Sequence, residues 1–370
     1  MKLSDIRAEI DNIDDKILEL LEKRMECSEK VAQIKLEKNE PVLNKDREKQ
    51  ILLDIAEKSP RYYREKCFLF ENMMDISRQI QYNMISDRKP STPRVGCFNS
   101  ENAIVACQGT CGSFSERAAQ KLFKNNEIRH YDTLPEVFDA LKHKKVDFAV
   151  LPIENSSAGS VHEVYDLLLE HKFYIIEEVQ MKIDHCICGI NGADLSSVKY
   201  VYSHPQAIAQ CSKFIKDNNL NAVYSRSTAI AAKNVSECGD IEKCAICSKR
   251  ACDRYGLNIL KSNVQDNDDN TTRFIVISRD MYVSENANKI SVCFSLPNKS
   301  GMLYKVLLKF YLHDLNLTKI ESRSIRNKKF EYMFYLDFEG NTRRKLIDGL
   351  LMSLSLELDG FRVLGNYEEK

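Results

Sequence analysis

Glycine is missing from the first 86 residues, and proline occurs there only as Pro41 and Pro60. Such a segment offers a helix few reasons to stop. A charge excess of either sign is missing from the whole chain. Lys+Arg and Asp+Glu both number 54 and the formal net charge is zero, so no global field draws the protein to nucleic acid or to an anionic membrane. No apolar run approaches the ~20 residues that a bilayer span needs. The opening "MKLSDIRAEIDNIDD" lacks the continuous apolar core of a secretion signal. These absences predict a cytoplasmic protein whose partners are small molecules, with no nucleic acid and no membrane. Low-complexity tracts are absent as well, and 43% hydrophobic with 29% charged residues is ordinary for globular domains. The 370 residues suggest two or three of them.

Cysteine is not scarce: there are 13. In a reducing compartment free Cys behaves as a small core residue. Cys186 and Cys188 in "DHCICG", and Cys238, Cys244 and Cys247 in "CGDIEKCAIC", are the groupings to weigh against zinc. A structural site needs four ligands, usually from two pairs. No convincing second pair is present, so buried thiols are expected and no metal.

Three rhythms follow one another along the chain. Residues 1–86 have helical period, giving helices near 4–37, 45–57 and 62–86. At 1.5 Å per residue the first spans on the order of 50 Å. A lone three-helix domain cannot cover that length, so a partner chain is expected to supply packing surface in an intertwined dimer. Residues 87–102 are polar, contain Pro90 and Pro93, and read as a linker. From 103 to 280 strands, short Ser/Asn/Gln/Gly turns and helices alternate, as in "VDFAVLPI", "ENSSAGS", "VHEVYDLLLE". This is the pattern of an α/β sheet, whose ligands sit beyond the carboxyl ends of the strands. From 288 to 366 the order is strand, helix, strand, strand, helix, strand, the ferredoxin-like β-α-β-β-α-β arrangement.

The first helix places Ile6, Ile10, Ile13, Ile17, Leu20, Leu21 and Val31 on one face, with Arg24 and Lys35 in its middle. In the third, Ser77 and Gln81 share the row of Phe70, Met73, Met74, Ile80 and Met84. In the second, Arg47 and Glu48 extend the row of Ile51, Leu52 and Ile55. A buried charge is costly unless paired. Several cations and amides converging in one helical core therefore suggest a compact anion there. The competing reading is snorkelling, or an ion pair between Arg47 and Glu48.

Through "IRAEIDNIDDKILELLEKR", "KVAQIK", "PVLNKDRE" and "ISRQIQ", residues 3–81 resemble the all-helical chorismate mutase domain. The resemblance implies that Arg7, Arg24 and Arg47 grip the two carboxylates of chorismate, with Arg7 supplied by the partner subunit. Lys35 and Gln81 would address the ether oxygen, and Glu48, Ser77 and Asn44 the hydroxyl and rim of the site. Asn44 departs from the family's usual Asp. The implied Claisen rearrangement to prephenate needs a held conformer and donors aimed at developing charge, not a nucleophile, a metal or another cofactor.

Residues 103–280 resemble prephenate dehydratase through "GTCGSFSERAA", "VLPIENSSAGSVHEVYDLL", "VYSHPQAIAQCSKF" and "NTTRFIVI". Two α/β lobes of the type II periplasmic-binding-protein kind are implied, with prephenate in the cleft. Turns at Ser113–Ser115 and Ser203–Gln206 suit its carboxylates. The family implicates Thr272 as donor to the departing hydroxyl, with Arg273 beside it, Phe274 near the ring, and Asn155, Ser203 and Gln210 in the other turns. Glu154 would support them. Helix capping is the expected role of Ser115 and Ser227.

Residues 288–366 resemble an ACT domain through "SGMLYKVL" and "ESRSIRNKKFEYMFYLDF". Gly301 and Leu303, with Glu321, Ser322 and Arg323, would form a site for L-phenylalanine as feedback inhibitor. Met302, Tyr304 and Ser324 depart from the pattern. The whole reads as a fusion of mutase, dehydratase and regulatory module, forming a homodimer or homotetramer. Two rivals stand beside it: a dehydratase whose helical domain only dimerises, and a non-catalytic solute sensor on the two-lobed fold.

Overall fold

A computed structural model describes residues 2–58, 61–86, 96, 98–325 and 331–369. Pro60, Pro90, Pro93 and most of the 87–102 linker lie outside the described residues.

Three helices open the chain: α1 (Leu3–Lys38), α2 (Lys45–Lys58) and α3 (Tyr63–Ser86). Asn39, in the left-handed region, ends α1. Of the 36 residues of α1 only Ser28 and Ala32 are buried, while Ile10, Ile13, Ile17 and Leu20 stay about half exposed or more.

The middle of the chain begins with β1 (Ile104–Gln108), α4 (Phe114–Leu122), β2 (Glu127–Tyr131), α5 (Leu134–Lys142), β3 (Phe148–Asn155), β4 (Gly159–Ser160), α6 (His162–His171) and β5 (Tyr174–Lys182). A second group follows: β6 (Cys186–Gly189), β7 (Tyr200–Ser203), α7 (Pro205–Gln210), α8 (Ser212–Asp217), β8 (Asn221–Tyr224), α9 (Thr228–Cys238), β9 (Lys243–Cys247), α10 (Lys249–Arg254) and β10 (Asn258–Ser262). The chain then returns through β11 (Thr271–Ser278) to the first sheet. There β1 pairs in parallel with β2 and β3, whereas β11 runs antiparallel between β3 and β5. The second sheet has the order β10-β6-β9-β7-β8. Two sheets, each with its own apolar core, make two lobes. β1 and β3 are buried on both faces and so read as continuous apolar runs.

Last come β12 (Lys289–Leu296), α11 (Met302–Leu312), β13 (Leu317–Ser324), β14 (Tyr332–Glu339), α12 (Lys345–Glu357) and β15 (Arg362–Tyr367), with strand neighbours β13-β14-β12-β15. Ile290, Val292, Phe294 and Leu296 of β12 meet Val306, Phe310, Leu350 and Leu354 of the two helices in one core.

By contacts the chain divides into two compact units, one of residues 1–93 with 290–363, the other of residues 94–289 with 364–370. In the first, α3 packs on α1 and also on α12. In the second, the C-terminal residues join the first lobe, Gly365 pairing with Ile175 of β5.

Candidate active sites

In the helical segment the structure brings Arg24 of α1 to α3. Its Nη1 donates to the Met73 carbonyl at 3.0 Å and to Ser77 Oγ at 2.5 Å. Both acceptors are neutral, and burial alone pulls the guanidinium pKa down. Ser77 and Gln81 are buried one turn apart, Gln81 Nε2 donating to the Ser77 carbonyl at 3.2 Å. The buried Gln81 Oε1 has no hydrogen-bond partner among the described residues. The ends of an amide interchange by a half-turn, so this one has capacity left for a ligand. Lys35 Nζ donates to the Val42 carbonyl; burial lowers its pKa, and the nearby Glu40 and Glu48 partly restore it. Glu48 turns to Arg78 rather than to Arg47, so the ion pair of the competing reading does not form. Arg47 is exposed, and its backbone N–H is held at 3.0 Å by the Asn44 side chain, which caps α2. Arg7 is exposed as well. It lies 17 positions before Arg24, about 25 Å along the helix axis, too far to serve the same site within one chain.

In the second unit β11 sets Thr272 opposite Asn155 of β3. Asn155 Nδ2 donates to Thr272 Oγ1 at 2.9 Å and to Asn270 Oδ1 at 2.7 Å. Gln210 Nε2 donates to Asn155 Oδ1 at 3.3 Å, and Gln210 Oε1 accepts from Asn270 Nδ2 at 3.1 Å. His185 Nε2 completes the group, 3.0 Å from the same Gln210 oxygen. Burial lowers the His185 pKa, which favours the neutral ring, and the Gln210 oxygen it faces assigns Nε2–H as the donor. Beside this cluster lies a cavity of about 400 Å³ lined by Ser157, Ala158, Gln206, Gln210, Gln265 and Asn270 among others. The bond to Thr272 Oγ1 is one it accepts, which leaves the hydroxyl proton available for donation.

Four expected companions sit elsewhere. Strand alternation turns Arg273 away from Thr272, and its guanidinium pairs with Glu154 at 3.2 Å and with the fully buried Glu178 at 2.7 Å. Glu154 is thereby committed to Arg273. Phe274 packs in the first-lobe core with Val105, Phe148 and Val179, off the cavity wall. Ser203 is buried and donates to the Ile246 carbonyl at 2.7 Å, tying β7 to β9. Ser113, not Ser115, caps α4, accepting from Glu116 N at 3.2 Å; Ser115 is buried in the first turn. Ser227 caps α9 as expected. Asn270 and His185 went unnamed at the sequence level, although they lie in "NTTRF" and "DHCICG".

The weighed cysteines Cys186, Cys188, Cys244 and Cys247 are buried free thiols, while Cys238 is exposed. Metal-donor groups meet at Cys111, Glu116 and His130 instead. There the Glu116 carboxylate already accepts from Gly112 N at 2.7 Å and faces Arg250 at 3.4 Å.

In the last segment Gly301 caps α11 with φ +79°, and Leu303 packs against the module core. On β13 Glu321 and Arg323 are half-buried, and Glu321 meets Lys319 at 3.3 Å. Ser322 faces the opposite, exposed side.

Known proteins match this layout. The family model for chorismate mutase type II matches residues 6–82, and that for prephenate dehydratase matches residues 105–282. A bifunctional chorismate mutase/prephenate dehydratase from Aquifex aeolicus is 33% identical over 99% of this chain and 98% of its own length. The chain belongs to the bifunctional chorismate mutase/prephenate dehydratase family. Arogenate dehydratase/prephenate dehydratase 1 of Arabidopsis thaliana, 38% identical, shares 71% of each chain. Among solved structures, prephenate dehydratase from Arthrobacter aurescens in complex with L-Phe superposes with a TM-score of 0.66, at 28% identity over 71% of this chain and 89% of that one. The bifunctional family places both steps in one chain: chorismate to prephenate, then prephenate to phenylpyruvate.

Proposed function

We propose that the two steps use the two sites described, and that a third segment regulates them. The observation that carries the mutase assignment is Arg24, a half-buried cation whose hydrogen bonds end on neutral oxygens. A substrate carboxylate is the partner that offsets its desolvation. Lys35 and Gln81 then serve the ether oxygen, whose charge grows as the C–O bond breaks. Ser77, Glu48 and Asn44 border the site, and Arg47 reaches in from α2. Arg7 comes from the second subunit of a dimer in which the exposed isoleucines of α1 are covered.

At the dehydratase site Thr272, positioned by Asn155 within a network that includes Gln210 and Asn270, donates a hydrogen bond to the leaving hydroxyl. Loss of CO₂ and hydroxide together aromatises the ring. Arg273, Glu154 and Phe274 support β11 from behind. Ser203 fixes the neighbouring turn.

Chorismate supplied to the purified chain is expected to give phenylpyruvate, followed by its absorbance. Lys35→Ala should lower chorismate turnover at least a hundredfold and still convert added prephenate. Thr272→Ala should do the reverse and accumulate prephenate. Near-normal turnover in either variant refutes the corresponding assignment.

We further assign residues 288–366 to an ACT module that binds L-phenylalanine near Gly301, Leu303, Glu321, Ser322 and Arg323. The solved dehydratase holding L-Phe supports this effector. Calorimetry should show phenylalanine binding to the wild-type chain and none after Gly301→Val. A flat titration of the wild type leaves the module an assembly role only.

A further inference from the structure

Arg78, on α3 next to Ser77, is 9% exposed, and all its carboxylate partners lie within the unit of residues 1–93 and 290–363. It is the hub of a charged cluster drawn from four helices. Nη1 pairs with Glu48 of α2, Nη2 with Asp75 of α3, and Nε with Glu357 of α12 at 3.1 Å. Lys309 of α11 reaches the other Glu357 oxygen at 3.0 Å, and burial together with the nearby Glu357 charge raises the pKa of the buried Tyr82. A further ion pair flanks the cluster, Lys305 to Glu71 at 2.9 Å. Burial drives the Lys309 pKa down while Glu357 draws it up. Only Glu48 in this set belongs to the proposed mutase site, and it lies near enough to Lys35 to raise that ammonium's pKa.

Arg78 thus holds by an ion pair a carboxylate whose charge also reaches Lys35. Without Arg78, Glu48 loses its ion pair and is left to the ammonium groups whose charge it already feels, Lys309 and Lys35, the second being the group needed by the ether oxygen. A guanidinium can address three carboxylates in three directions because its N–H groups fan out in a plane; an ammonium cannot reproduce that fork.

We propose that Arg78 is a positioning residue of the mutase site, holding Glu48 off Lys35, and that Glu357 and Lys309 of the C-terminal segment anchor it there. The C-terminal segment is therefore a structural part of the mutase, not only a sensor appended to the dehydratase. The inference rests on the mutase roles given to Lys35 and Glu48.

The full-length chain provides the test, with mutase assayed on chorismate and dehydratase on added prephenate. Arg78→Met should lower mutase kcat/KM at least tenfold, chiefly through kcat, with dehydratase within twofold of wild type. Arg78→Lys should recover part of the loss. Adding Arg78→Met to Glu48→Gln should cost little beyond Glu48→Gln alone, because both act through one carboxylate. Glu357→Gln, some 280 positions along the chain from Arg78, should lower mutase kcat at least threefold with dehydratase unchanged. Mutase within twofold of wild type in Arg78→Met, or additive losses in the double variant, would overturn the proposal. If Arg78→Met loses both activities through unfolding, Glu357→Gln decides: selective mutase loss supports the proposal and unchanged mutase overturns it. A wild-type chain inert toward chorismate but active on prephenate would instead sink the mutase reading, and the inference with it.

Discussion

His185 shows how one buried ring ties the Asn155–Gln210–Asn270 cluster to pH. Its Nε2–H donates to Gln210, and its Nδ1 is buried without a hydrogen-bond partner among the described residues. Protonating Nδ1 would create a buried, unpaired N–H on a charged ring, so burial lowers the pKa. The sign follows. A histidine with a depressed native pKa contributes stability that is fully present above its unfolded value of about 6.5 and is lost as pH falls through it, by at most about 1.4 kcal/mol per pH unit. Urea midpoints at pH 7.5 and 5.5 should therefore fall further apart in the wild type than in His185→Gln, whose amide keeps a donor for Gln210. Equal acid sensitivity in both chains would show that His185 does not set it. Residue-scale chemistry was partly legible in the sequence. Arg24, Lys35, Ser77 and Gln81 declared themselves because polar groups broke an apolar stripe. Asn270 and His185 did not, since a lone Asn in a turn and a lone His beside a strand carry no periodic signal.

Among the elements, boundaries were legible where the chemistry is local. Helices expected near 4–37, 45–57 and 62–86 occur at Leu3–Lys38, Lys45–Lys58 and Tyr63–Ser86. Pairing across sheets was not legible. The antiparallel return of β11 between β3 and β5 sets Thr272 beside Asn155, and strand alternation sends Arg273 to Glu178. Such register is decided by partners about 90 to 130 positions away. The β1–α4 turn is another product of distant packing. Gly112 has φ +87°, and a Cβ there would stand 2.9 Å from the Ala251 Cα on α10. Ser248 Oγ donates to the Gly112 carbonyl at 2.9 Å, and Tyr255 OH to that of Cys111 at 3.1 Å. This turn of the first lobe is thus docked on the second. Gly112→Ala should cost about 1–3 kcal/mol from backbone strain, with a further cost for moving the turn off α10. Dehydratase turnover and the thermal midpoint should fall, and mutase kcat should hold. An unchanged midpoint would mean that the lobes are not joined through this turn.

At the scale of the whole molecule the open question is what covers α1. Ile10, Ile13, Ile17, Leu18 and Leu20 are each 48–64% exposed on a helix with two buried residues. Each of these half-exposed isoleucines, covered by a partner, would contribute about 1 kcal/mol, roughly half the value for burying a fully exposed side chain. Twofold symmetry applies every such contact twice. The same dimer would bring Arg7 to the site that its own chain cannot reach, so assembly and mutase chemistry become one property. In the proposed dimer Ile17→Glu places a charge on the stripe of each subunit and should split that dimer, read as halved mass in sedimentation equilibrium. Mutase turnover should then fall at least a hundredfold, because the site loses Arg7, while prephenate conversion persists in the second unit. A monomeric Ile17→Glu chain with full mutase activity would show that each site is complete within one chain, and would remove Arg7 from it.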